Sequence, residues 1–283
     1  GNIDFEGRSE ILTGPGPSRS LPPEVRGFEH DGAPIPAVDF IAYGTPRFGV
    51  NVASGGIDGD RFDEIVTGAG AGSVFGPHVR GWDAGAVSTT AKPSVNFFAY
   101  GTLRYGVNVA TADLEPDAFD EVLTGAGPGP TFAPHVRGFD YDGTSIAPIA
   151  GVNFYAYAIP RGGVVVAGGD ADGDGTGDIA SCPGPDALLP ARFVGFRFDG
   201  TAVTALPGFD VTPYTTTYGG CLAIGNVQSG RGKELITGAG PDPVAPSIAA
   251  AFHYSGTTLR PVSSAFAAFP QGSYGVRVGS LIE

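Results

Sequence analysis

Methionine is absent from all 283 residues, position 1 included, and lysine occurs only as Lys92 and Lys233. The missing initiator leads us to expect a chain that starts after processing, such as removal of a signal peptide, or after excision of a domain. With so few lysines the basic residues number 16 against 29 acidic ones, for a net charge of −13. That balance repels nucleic acid and anionic membranes, so neither is expected as a partner, and it suits a protein that holds cations. Long apolar runs are missing too. None approaches the roughly 18 residues of a membrane span. Helical periodicity is nearly absent, whereas short alternating or wholly apolar runs recur throughout, which predicts an all-β chain.

What the chain does have is one phrase, written five times. Glu-Ile-Leu-Thr-Gly-Pro-Gly at Glu10 returns with small changes at Glu64, Glu121, Asp178 and Glu234, at intervals of 54, 57, 57 and 56 residues. A constant period of this length with strand-like content means an array of supersecondary units. No linker interrupts it, so residues 1–283 read as one domain. The 47 glycines and 25 prolines fall at fixed places between apolar runs and act as turn punctuation rather than as a sign of disorder.

One unit, Gly49 to Gly106, shows the plan. Gly49–Ala53 reads as a strand, Ser54–Asp63 as an acidic loop and Glu64–Thr67 as a strand returning antiparallel. A Gly-rich connection leads to a third strand, Pro77–Asp83, and a turn leads to a fourth, Ser94–Tyr100. Four short strands per unit in five units predict a five-bladed β-propeller of four-stranded antiparallel blades. Phe40, Phe97, Phe154, Val211 and Phe266 recur in the fourth strand, followed three residues on by Tyr43, Tyr100, Tyr157, Tyr214 and Phe269. Recurring aromatics of this kind are expected to pack between blades. At the C-terminus, Tyr274–Val278 repeats a first strand with no second strand after it, while Glu10–Thr13 is a second strand without a first. Bringing the two into one blade closes the ring and removes open sheet edges. The same split would allow strand exchange between copies, giving a homo-oligomer or filament.

The chemistry is concentrated in the loop between first and second strands. In the fourth unit it carries Asp170, Asp172, Asp174 and Asp178 at positions 1, 3, 5 and 9, with the Thr176 carbonyl at position 7. Oxygen donors wrapped at this spacing suit Ca²⁺. The third unit has Asp113, Glu115, Asp117 and Glu121 at the same positions, and the first has Asn2, Asp4, Glu6 and Glu10. In the second unit Asp58, Asp60 and Glu64 remain but Gly56 stands at position 1; the fifth, with Asn226, Gln228, Gly230 and Glu234, has lost most of its charge. Without a counter-ion such clusters would repel themselves.

The acidic loop, the Glu-Ile-Val-Thr-Gly strand, the Gly-rich turn and Val-Arg-Gly-Phe-Asp together resemble the FG-GAP/VCBS-type repeat of integrin α-chain and bacterial secreted propellers. The resemblance spans essentially the whole chain and departs from the pattern in the fifth unit, where Ala249–Ala251 replaces Val-Arg-Gly. It implies a secreted or cell-surface propeller stabilised by Ca²⁺ and used for adhesion or recognition of an extracellular protein or glycan. A structural subunit of an extracellular filament or surface layer is the alternative, and a polysaccharide-active propeller enzyme a more remote one. The sequence contains no recognisable catalytic motif.

Other residues admit two readings. His78 and His135, each two residues before Arg80 or Arg137, could line a groove or satisfy backbone groups between blades. Glu24 and Arg192 hold the histidine position in other units. Trp82 takes the place of Phe28, Phe139, Phe196 and Phe252, which favours core over a sugar platform. Cys182 and Cys221 lie at the strand ends remote from the acidic loops, in neighbouring units. A disulfide between blades is expected, with two buried thiols as the alternative. The Thr-Gly-Ala-Gly turns lack the lysine and the following helix of a phosphate loop.

Overall fold

A computed structural model describes residues 1–3, 8–44, 47–102, 104–117, 119–228, 233–262, 264–269 and 272–280. These residues form only strands, turns and irregular segments, and no helix is long and apolar enough to cross a membrane. Five antiparallel sheets make five blades. The first holds β1 (Ile11–Thr13), β2 (Glu24–Phe28) and β3 (Pro34–Ile41). The second runs β4 (Val50–Gly55), β5 (Glu64–Ala69), β6 (His78–Ala84) and β7 (Thr89–Phe98). The third runs β8 (Val107–Ala112), β9 (Glu121–Ala126), β10 (His135–Tyr141) and β11 (Ile146–Tyr155). The fourth runs β12 (Val164–Gly169), β13 (Asp178–Pro183), β14 (Phe193–Phe198) and β15 (Val203–Val211). The fifth runs β16 (Gly220–Gly225), β17 (Glu234–Ala239) and β18 (Ser247–Tyr254), and its outer strand is split into β19 (Leu259–Pro261) and β20 (Phe266–Phe269).

The repeated phrase is the second strand of each blade, and its burial explains its constancy. Every residue of β5, β9 and β13 is buried, as expected of a strand covered on both faces. Its threonine does two jobs. Thr67 Oγ1 donates to the Arg80 carbonyl in its own blade at 3.2 Å. Tyr43 of the preceding blade places its hydroxyl 3.0 Å from the Thr67 carbonyl oxygen and 2.8 Å from that of His78. Tyr100 does the same at Thr124 and His135 and Tyr157 at Ser181 and Arg192, while Tyr214 meets the carbonyl and hydroxyl of Thr237. The recurring phenylalanines complete three of the joints with tilted ring contacts, Phe40 4.5 Å from Trp82, Phe97 4.4 Å from Phe139 and Phe154 4.8 Å from Phe196. The glycine after each threonine leaves room for the next blade, since a Cβ on Gly68 would lie 2.5 Å from the Val107 carbonyl oxygen.

Two expectations change. The outer strand of the second blade begins at Thr89, five residues earlier than the alternation predicted, because a bulge between Arg80 and Gly81 shifts the register. The bulge sets Lys92 opposite Gly81. The closure is also looser than a four-stranded blade would make it. The segment 276–280 takes the fifth place around the axis: Val276 N donates to the Ala239 carbonyl at 3.1 Å and Ser280 Oγ to that of Ile224 at 2.7 Å. Among the described residues, however, no ladder joins it to β1. Ile11 is consequently 41% exposed, whereas its equivalents Ile65, Val122, Ile179 and Leu235 are fully buried. The five inner segments surround an axial cavity of about 480 Å³, onto which β1 also opens.

Candidate metal centre

The position-9 carboxylate organises every acidic loop. It is buried in each blade, at Glu10, Glu64, Glu121, Asp178 and Glu234. From there it accepts a backbone N–H near the start of its own loop: Ile3 for Glu10 (2.7 Å), Asp58 for Glu64 (3.2 Å), Leu114 for Glu121 (2.6 Å), Ala171 for Asp178 (3.2 Å) and Val227 for Glu234 (2.8 Å). The position-5 carboxylate shapes the far side. Asp60, Asp117 and Asp174 accept the N–H of Phe62, Phe119 and Thr176 at 2.7, 2.8 and 2.9 Å. The second bond is the two-residue turn that Asp favours and the first reaches back six or seven residues, so the loop curls on itself and gathers its acids.

Three blades gather acids this closely, with Asp58, Glu64 and Asp83 in the second and Asp170, Asp172 and Asp178 in the fourth as near to one another as the third blade's set; the third differs in its unpartnered oxygens. One oxygen each from Glu115, Asp117 and Glu121 lie within 4.8 Å of one another. Glu121 is fully buried, and while its Oε2 is held by Leu114, its Oε1 has no partner. Asp113 Oδ1 is a second buried oxygen without a partner. Burial pushes the Glu121 carboxyl up to about 8, with the charges of Asp117 and Glu115 adding to the effect. Burial and Asp117 raise Asp113 as well. Orphaned buried oxygens next to two further carboxylates form an oxygen-only donor set, which fits a hard divalent cation.

The second and fourth loops gather their acids around a basic side chain. Lys92 Nζ sits 2.7 Å from Asp58, 2.6 Å from Asp83 and 3.9 Å from Glu64. Burial works against its charge, yet the bonds to Asp58 and Asp83 prevail and raise its pKa. Glu64 is pushed up to about 8 by burial and by Asp58, with Lys92 opposing. In the fourth loop Arg197 pairs with Asp172, with Asp174 at 3.2 Å and with Asp178 at 3.4 Å. Asp178 is raised to about 7 by burial and Asp172 despite that guanidinium. Asp170 accepts the N–H groups of Gly173, Asp174 and Gly175.

At the first loop, Asn2 Oδ1 is buried without a partner, while Asp4, Glu6 and Gly7 lie outside the described residues. In the fifth, Gln228 N–H also reaches Glu234 and His253 Nδ1 lies 3.5 Å from that carboxylate; Gly230 is outside the described residues.

Sequence reasoning missed Asp63, Asp120, Asp83, Lys92 and Arg197. Asp63 accepts the Asn2 N–H at 2.9 Å and Asp120 that of Gly56 at 3.1 Å, tying each loop to the one before it. Their signal was visible as an acid just before the position-9 glutamate in the second and third units. Lys92 and Arg197 carried none, since they belong to other strands.

The opposite face is organised differently. His78 Nε2 pairs with Asn96 Oδ1 at 2.6 Å, and His135 with Asn153 at 2.6 Å. Arg80 and Arg137 each donate to a carbonyl of the preceding blade, Ala42 and Ala99. Trp82 is buried and donates to Thr67 Oγ1 at 2.9 Å, which leaves it as packing. The expected Cys182–Cys221 bridge is not formed: both are free thiols. Cys182 is fully enclosed, and Cys221 Sγ turns to the Val276 carbonyl at 2.6 Å. Burial and the neighbouring Cys221 push the Cys182 thiol up. No protein-family profile and no curated protein matches this chain.

Proposed function

We propose that the chain is a calcium-stabilised binding propeller of the FG-GAP/VCBS type, secreted or displayed at the cell surface, that engages an extracellular protein or glycan. The observation that carries the binding role is a row of exposed apolar side chains at equivalent outer-strand positions in three adjacent blades: Ile41 (52%), Phe98 (60%) and Tyr155 (63%). They lie at the strand ends away from the acidic loops, beside the His78–Asn96 and His135–Asn153 pairs. His78 stacks on Phe98 at 4.7 Å, and a cavity of about 280 Å³ opens between the first two blades next to both. Aromatic faces bordered by fixed polar groups suit sugars and peptide side chains. The donor set of the third loop supports the calcium part, and the loops would stiffen the face opposite the ligand.

The test is a glycan array and a panel of extracellular matrix proteins, probed in calcium with the wild type and with Phe98→Ser/Tyr155→Ser. A hit weakened at least tenfold by the double variant is expected. A hit that the variant binds unchanged sinks the assignment of this face.

The loose closure favours a second reading, a filament subunit exchanging its terminal strand through the open β1 edge. Negative-stain microscopy showing only single particles would rule against it.

A further inference from the structure

The five loops differ less in their acids than in what neutralises them. In the second blade the cation is Lys92, on the outer strand β7, with a side chain only 11% exposed. The equivalent position is Ile35 in the first blade, Ile149 in the third and Leu206 in the fourth, all apolar and at least partly buried. In the fourth blade the cation is Arg197, on β14, where the second and third blades have Asp83 and Asp140. The two blades therefore place a basic group among the same carboxylates from different strands. Among the described residues, the third blade has neither: Ile149 and Asp140 stand there, and its buried oxygens are left without partners.

We propose that Lys92 and Arg197 are resident counter-ions that make the second and fourth loops independent of metal and confine calcium dependence among the second, third and fourth blades to the third. This builds on the reading of the loops as cation-holding. The ammonium of Lys92 is surrounded by Asp58, Glu64 and Asp83, and the guanidinium of Arg197 by Asp172, Asp174 and Asp178. A divalent ion entering either loop must first displace a tethered charge already bonded to its donors, which costs the ion pair and, at the 11%-exposed Lys92, leaves a largely buried cation unpaired. Arg197 offers several donors in one plane and meets three acids at once, and a lysine in its place would still carry the neutralising charge. The loop with the most regular acidic spacing, Asp170 to Asp178, is thus one of the two whose acids are already engaged.

The experiment counts bound calcium per chain, by calorimetric titration of chelator-stripped full-length protein with Ca²⁺ alone, for the wild type, Lys92→Gln, Arg197→Gln, Arg197→Lys and Ile149→Lys. Each Gln variant should bind one ion more than the wild type and melt lower in chelator, with calcium restoring it. Arg197→Lys should keep the wild-type count, and Ile149→Lys should lose one ion. If a Gln variant does not fold in chelator, refolding it in calcium and measuring bound metal after desalting gives the same count. Gln variants whose count equals that of the wild type overturn the proposal, whether the loops are filled in both or empty in both. A wild type that binds no ion in its third loop, while both Gln variants gain one, would sink the calcium reading of that loop and uphold the resident counter-ions.

Discussion

The hydroxyl of Tyr100 lies 3.0 Å from the carbonyl oxygen of Thr124, one blade further round the ring, and 2.8 Å from that of His135. Both ends of the joint are buried, so no water can take the place of the bond. Replacing Tyr100 by Phe should cost about 1–3 kcal/mol, read as a lower urea midpoint at unchanged m-value. At the fifth joint the residue is Phe269, already without a hydroxyl and 60% exposed. Adding one there, as Phe269→Tyr, should change stability by less than about 0.5 kcal/mol.

The acidic loops predict an inverted pH dependence in chelator. Folded Glu121 keeps its proton up to about pH 8, whereas its ordinary value is 4.5. The folded chain then binds more protons than the unfolded one between those limits. The contribution is complete below about pH 4.5 and is lost as pH rises through about 8. Melting temperature in chelator should fall from pH 5 to pH 8, and calcium, which prefers the ionised carboxylates, should restore it at the alkaline end. A flat profile, equal with and without calcium, would contradict the metal assignment. Glu121→Gln should flatten the slope and blunt the calcium response.

Entry into each inner strand depends on a left-handed pair. Tyr105 and Gly106 have φ of 67° and 62°, and a Cβ on Gly106 would meet the Ala69 carbonyl oxygen at 2.0 Å. Gly106→Ala combines an unfavourable φ with a backbone clash, so it should destabilise by more than about 1 kcal/mol. Gly143→Ala also has positive φ but nothing within reach of its Cβ, and it should cost less in the same urea titration.

The free thiols predict a labelling pattern. Enclosure and a raised pKa should keep Cys182 unreactive toward alkylating agents in the folded protein. After unfolding without reductant, intact mass should show two adducts per chain. A mass with none would show that the expected bridge forms in solution.

The fold was legible because its units repeat. Five copies of one strand, buried in all but the first blade, revealed the blades, and the recurring tyrosines marked the joints that their hydroxyls make. The outer strands were harder to read: Thr89 to Pro93 is polar and contains proline, so the sequence pattern starts the strand only at Ser94. The loops were found by their spacing, but spacing shows only residues that follow one another. Lys92 and Arg197 reach the acids across strands, and only their register brings them there. That is why the loop with the best spacing is not the one with orphaned oxygens.

Four of the five joints carry a tyrosine clasp, and the fifth does not. Phe266 and Phe269, whose counterparts elsewhere are packed, are 55% and 60% exposed beside it. A pull across this joint would load the one interface without a clasp, and the ring would open there like a bracelet before any single blade tears. Under tension the molecule would lengthen by uncurling, with the acidic loops between the intact blades still held together.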